Sequence, residues 1–206
     1  MLRAALLLFF LPAFSLTPVY GQINREQDVS KMFFEQQDKC RGLLRAQNWK
    51  EAEPVCKAAA RLAEQLPGDR ALEKMGAYQL LGHVFLRQQR YQEALNNYSR
   101  AYEFARSQLT EKNAELGELY GYMAIAHHGL NELDKAREFY RKAEKSLQLA
   151  YAAMACDNCD EEVEKIRQEY IKRLKDLLEY HLVAAEQAGA AAEVEEIKKL
   201  QRSLPK

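Results

Sequence analysis

β-Branched residues are scarce in this chain: Val, Ile and Thr together supply 14 of 206 residues. Sheets are rich in such residues, so a predominantly β fold is excluded. Gly and Pro number nine and five, about half their usual share, which leaves too few turn formers for a sandwich or barrel of many short strands. An excess of charge is missing as well, since 30 basic residues stand against 30 acidic ones. No bulk field draws the protein to nucleic acid or to anionic lipid. What is abundant is Ala, Leu and Glu, 80 residues in all. These are strong helix formers, and they set the fold class as all-α.

A run of roughly 20 apolar residues, the length that crosses a bilayer, is also lacking. The longest candidate, Ala4 to Phe14, is about half that length and is interrupted by Pro12. Arg3 precedes it and small Gly21 follows a polar stretch, so residues 1–21 have the layout of a secretory signal peptide cut after Gly21. The expectation is an exported chain from Gln22 onward, periplasmic or extracellular, with no stable membrane anchor. Either compartment permits disulfides.

Internal repetition is strong. Ala52, Ala94 and Ala136 recur 42 residues apart; four residues after each comes Cys56, Tyr98 or Tyr140, and seven after comes Ala59, Ala101 or Ala143. Offsets of four and seven share one helix face, which thus alternates small and large groups where another helix approaches. Upstream of the middle anchor lies a second helical stretch with Tyr78, Leu81, Gly82 and Phe85 on one stripe, then a short turn at 87–90 and Tyr91. The third copy places Tyr120, Met123, Ala124, His127 and Leu133 correspondingly, and the first places Cys40, Leu43 and Trp49. Pro54 falls inside the second helix of the first copy, where it removes a hydrogen bond and bends the axis. Beyond the third copy the pattern changes. Val163, Ile166, Tyr170, Leu174, Leu177 and His181 form one apolar stripe on a long helix, Gly189 ends it, and a last helix runs to Pro205. Residues 156–206 read as a degenerate fourth hairpin that caps the stack with a polar outer face.

The order aromatic, Leu, Gly, Tyr in a first helix and Ala, aromatic, Ala in a second resembles the tetratricopeptide repeat. A 42-residue period is similar to the kinesin-light-chain type of these repeats. The eight residues beyond the usual 34 are about two turns, expected as longer second helices. The resemblance implies a right-handed superhelical solenoid of about four antiparallel hairpins, three of them within residues 22–155. It also implies a non-catalytic adaptor that holds a protein or peptide.

In such repeats the first helix of each hairpin lines a concave groove. The corresponding residues are Phe34, Gln37, Arg41, Leu44 and Arg45, then Gln79, His83, Leu86 and Arg87, then Glu118, Tyr122, Ile125 and His128. Arg41, Arg45 and Arg87 make a cluster suited to carboxylates, unless they merely solvate a helix face. Some family members clamp a C-terminal carboxylate with Lys and Asn; here Gln37, Gln79 and Gly121 occupy part of that clamp, which argues against that role. The packing residues are Gly82, Ala94, Tyr98, Ala101, Ala124, Ala136, Tyr140 and Ala143. Across each hairpin the small residue of the first helix faces the large one of the second, so Gly82 meets Tyr98 and Ala124 meets Tyr140. The same register sets Cys40 opposite Cys56 and predicts a disulfide between them.

Signals for catalysis are few. No HExxH occurs, and His127 and His128, adjacent on a helix, point about 100° apart and so do not share a metal. No glycine-rich phosphate loop or nucleophile elbow is present, and no cofactor is expected. CDNC, with Cys156 and Cys159 before a helix, has an enzyme-like reading as a thiol oxidoreductase or redox-linked chaperone. The negative charge of Asp157, Asp160, Glu161 and Glu162 disfavours a thiolate there, so a structural disulfide is the preferred reading. Those acids also suit the N-terminus of the following helix.

Overall fold

The computed structural model describes residues 17–155 and 159–205, with side chains from Glu26 onward. These residues form eight helices and no strand: α1 (Thr17–Arg45), α2 (Trp49–Glu64), α3 (Ala71–Arg87), α4 (Tyr91–Ala105), α5 (Ala114–Gly129), α6 (Leu133–Ala153), α7 (Glu161–Gln187) and α8 (Ala191–Ser203). Each odd-numbered helix pairs with its successor, and α1, α3, α5 and α7 also touch one another in sequence. The result is an all-helical solenoid of four hairpins. Most of the expected signal peptide, residues 1–16, lies outside the described residues; Thr17–Gly21 belong to α1, which continues unbroken past Gln22.

The turn inside each hairpin repeats the 42-residue period in backbone form. Gln47, Gln89 and Asn131 each adopt a left-handed conformation, with φ of 57°, 59° and 61°. The next N–H, from Asn48, Arg90 or Glu132, donates back to the carbonyl of Leu43, Phe85 or His127, at 2.9–3.0 Å. Gly189, at φ 67°, does the same between α7 and α8, where Ala190 donates to Ala185. This closure satisfies the last carbonyls of the first helix and turns the chain back on itself.

The expected lengthening of the second helices requires correction. α2 and α4 have 16 and 15 residues against 17 and 16 for α3 and α5; α6, with 21, is the long one. The chain spends residues instead on connections between hairpins. Pro67 and left-handed Gly68 stop α2 from extending, and Asn113 accepts from the Thr110 N–H and hydroxyl, holding residues 106–113 out of a helix. Pro54 is tolerated because it sits on the exposed side of α2, which continues through it to Glu64.

The expected apolar stripe of α7 is buried in its second half, at Leu174, Leu177 and His181, where Ile171, Leu178, Ala184 and Ala185 join it; Ile166, by contrast, is 40% exposed. Leu177 and Leu178 together enter the core with Tyr140 and Ile197.

Cys40 and Cys56 form a disulfide between α1 and α2, Cα–Cα 5.1 Å, both fully buried. In the next copy Gly82 packs against Tyr98 at the same place: a Cβ on Gly82 would lie 2.6 Å from the Tyr98 ring. The bridge closes a loop of 16 residues in sequence separation. Replacing both cysteines with Ala is expected to cost about 3 kcal/mol, the chain-entropy value for a loop of this size. Urea denaturation followed by circular dichroism measures it; an unchanged midpoint would deny the bridge a stabilising role.

Candidate functional site

Two cavities open on the face made by the first helices. One, about 290 Å³ between α1 and α3, is lined by Arg41, Leu44, Gly76, Gln79, Leu80, His83 and Tyr122. The other, about 390 Å³ between α5 and α7, includes Glu118, Gly121, Tyr122, Ile125, Glu169, Arg173, Asp176, Leu177 and Tyr180. Gly117 and Gly121 let α6 and α7 approach α5 closely: a Cβ at the first would meet Ser146 at 3.0 Å, and one at the second would meet Leu177 at 3.2 Å. Tyr122 is common to both cavities. Its ring stacks on buried Tyr98 at 5.6 Å and meets His83 edge-on at 5.1 Å. Burial raises the Tyr122 phenol above its ordinary range, against the opposing charge of Arg87. Burial, aided by Arg87, lowers the His83 imidazole, favouring its neutral form.

The groove residues projected from the repeat pattern are thus partly brought together. Arg41, Gln79, His83, Tyr122 and Ile125 line the cavities. Gln37 does not: it is 5% exposed, its amide near Gly76, because its side chain is taken up in the packing of α1 against α3. Arg45 is exposed and lines neither cavity. Arg87 is held over the Trp49 ring at 5.2 Å. His128 Nε2 lies 2.8 Å from Gln187 Oε1, tying α5 to the end of α7.

The inner face of α7 escaped the sequence reading, which treated this helix as a cap. Glu169, Arg173, Asp176 and Tyr180, spaced by three and four, stand on it, and Arg173 pairs with both Glu118 and Glu169. That spacing is legible beside the apolar stripe as a second face. A buried polar cluster was also missed. His181, 1% exposed, sits with Nδ1 2.6 Å from Glu144 and Nε2 2.8 Å from Glu193, and stacks on Tyr140. Burial works to raise the Glu193 carboxyl, but hydrogen bonds from Arg141, Arg137 and His181 outweigh it and hold it below its ordinary value. His127 Nδ1 meets Glu132 at 2.6 Å and its ring stacks on Phe139.

At CDNC, Cys156 lies outside the described residues. Cys159 is disulfide-bonded, and Arg167 Nη1 is 3.9 Å from its sulfur. Asp160 caps α7, its carboxylate accepting from the Val163 N–H at 2.8 Å. Among the described residues, no group of three or more His, Cys, Asp or Glu is placed to hold a metal, and no helix is long and apolar enough to cross a membrane.

A family model described as tetratricopeptide repeat matches residues 40–107 and 75–148, more than half of the chain. The chain belongs to the tetratricopeptide repeat family. Its matched residues run from Cys40 in the first hairpin into the last turns of the third. The fold is similar to the TPR domain of Arabidopsis FLU, 25% identical, over 58% of this chain and 98% of that one, with TM-score 0.53. It is also similar to a TPR-like protein from Chlorobium tepidum, 15% identical, over 74% of this chain and 98% of that one, with TM-score 0.54. No protein of curated function matches the sequence. Tetratricopeptide repeat proteins are typically non-catalytic scaffolds that bind proteins or peptides.

Proposed function

We propose that this protein is an exported adaptor or assembly subunit that holds a peptide or partner helix against α1, α3, α5 and α7, without catalysis. The observation that carries this reading is the pair of cavities sharing Tyr122, a fixed aromatic wall flanked by charged groups. Arg41 at one cavity and Arg87 beside it supply cations that carboxylates can reach. Charge reversal at both, Arg41→Glu with Arg87→Glu, is expected to weaken capture of a partner from the exported fraction at least tenfold while leaving helicity intact. Loss of the Arg87 stack on Trp49 costs about 0.5–1 kcal/mol by itself, so helicity and melting are recorded alongside. Unchanged capture would move binding to another surface.

Export accounts for the apolar run before Pro12 and for a disulfide-stapled first hairpin. The intact mass of the secreted protein is expected to begin at Gln22; a mass that retains residues 1–21 would favour an anchored form.

A thiol-disulfide oxidoreductase or redox-linked chaperone using CDNC is the second reading, favoured by Arg167 beside the Cys159 sulfur, since a cation there stabilises the thiolate that reduction of the disulfide releases. A dithiol-dependent protein disulfide reduction assay separates the two. The adaptor reading requires no acceleration over free dithiol.

A further inference from the structure

The groove changes sign along its length. At the α1–α3 cavity the charged lining is Arg41, with Arg87 near enough to act on His83 and Tyr122. Arg41 pairs loosely with Asp38 at 3.7 Å, and its own side chain is 48% exposed, so the guanidinium remains open to solvent. At the α5–α7 cavity the lining holds three carboxylates, Glu118, Glu169 and Asp176, around Arg173. Arg173 is engaged by Glu118 and Glu169, while Asp176 forms no ion pair among the described residues. Between the two ends stands Tyr122, stacked on Tyr98 and met edge-on by His83.

Resting on the groove reading above, we propose that the occupant is an extended peptide of opposite polarity to the groove, with a carboxylate side chain at Arg41 and a Lys or Arg at Glu118 and Asp176. An apolar residue between them lies on Tyr122. Neighbouring helices pack about 8–10 Å apart, so Arg41 on α1 and Glu118 on α5 are roughly two such steps from each other. An extended chain covers that distance in about five or six residues. The polarity also fixes direction: a reversed peptide sets carboxylate against carboxylate and guanidinium against cation, and like-charge contacts exclude it.

The test uses the full mature chain and a random library of 12-residue synthetic peptides, selected in parallel on wild type, Arg41→Glu and Asp176→Lys. Wild type is expected to enrich peptides with Asp or Glu toward one end and Lys or Arg five or six residues away. Arg41→Glu should replace the acidic preference with a basic one and leave the other end unchanged. Asp176→Lys should do the converse. A peptide matched to wild type should bind each variant at least tenfold more weakly, and more weakly in high salt. Enriched peptides without charge asymmetry, yet still lost in Arg41→Glu, would overturn the polarity while leaving the groove in place. Failure to enrich any peptide, or enrichment indifferent to both variants, would overturn the groove and the polarity together.

Discussion

Replacing His181 with Leu is expected to cost about 3 kcal/mol, because it leaves the Glu144 carboxyl buried without its hydrogen-bond partner. Glu144, which faces Nδ1 of the ring, is 8% exposed. Deprived of His181 it keeps its desolvation penalty and loses its partner. Glu193 suffers less, since Arg137 and Arg141 still hold it. The damage is therefore centred where α7 docks on α6. Hydrogen exchange in α7 and α8 should rise first, because a solenoid hairpin is stabilised mainly by its neighbour. A companion variant with both His181 and Glu144 changed to Leu should be markedly more stable than His181→Leu alone, since exchanging a whole buried pair for apolar groups is often close to neutral. If His181→Leu lies within 1 kcal/mol of wild type, the cluster is not what fastens α7 to α6.

A matched pair of glycine substitutions carries the second prediction. Gly82→Ala places a Cβ 2.6 Å from Cε1 of Tyr98, a ring that is fully buried and stacked on Tyr122. The Tyr98 ring must shift to admit it, so the expected cost is about 1–3 kcal/mol for overpacking, and more for Gly82→Leu. Gly42, in α1, has nothing within 4 Å of the same added atom. There the gain in helix propensity acts unopposed, and Gly42→Ala should stabilise by about 0.5–1 kcal/mol. Thermal melts of the two variants are expected to move in opposite directions. Movement in the same direction would show that the close approach of α3 and α4 does not govern the outcome.

The sequence by itself determined the helical class, the repeat frame and the contacts inside each hairpin. Gly82 against Tyr98 and Cys40 against Cys56 both follow from a register of 16 residues that the copies share. A contact so near in sequence depends on one turn and one helix period, and both recur, so the pattern is legible without coordinates. Contacts between hairpins were decided only by the tertiary structure. Glu144 meets His181 across 37 residues, and His128 meets Gln187 across 59. They depend on the offset and rotation between successive hairpins, and the fourth hairpin departs from the repeat, so no period announces them. That rotation buries Gln37 beneath Gly76 instead of presenting it, leaves Ile166 in solvent, and brings the acidic face of α7 opposite Tyr122. A helix carries several faces in its sequence, and packing against the neighbouring helices selects which of them becomes core and which becomes groove.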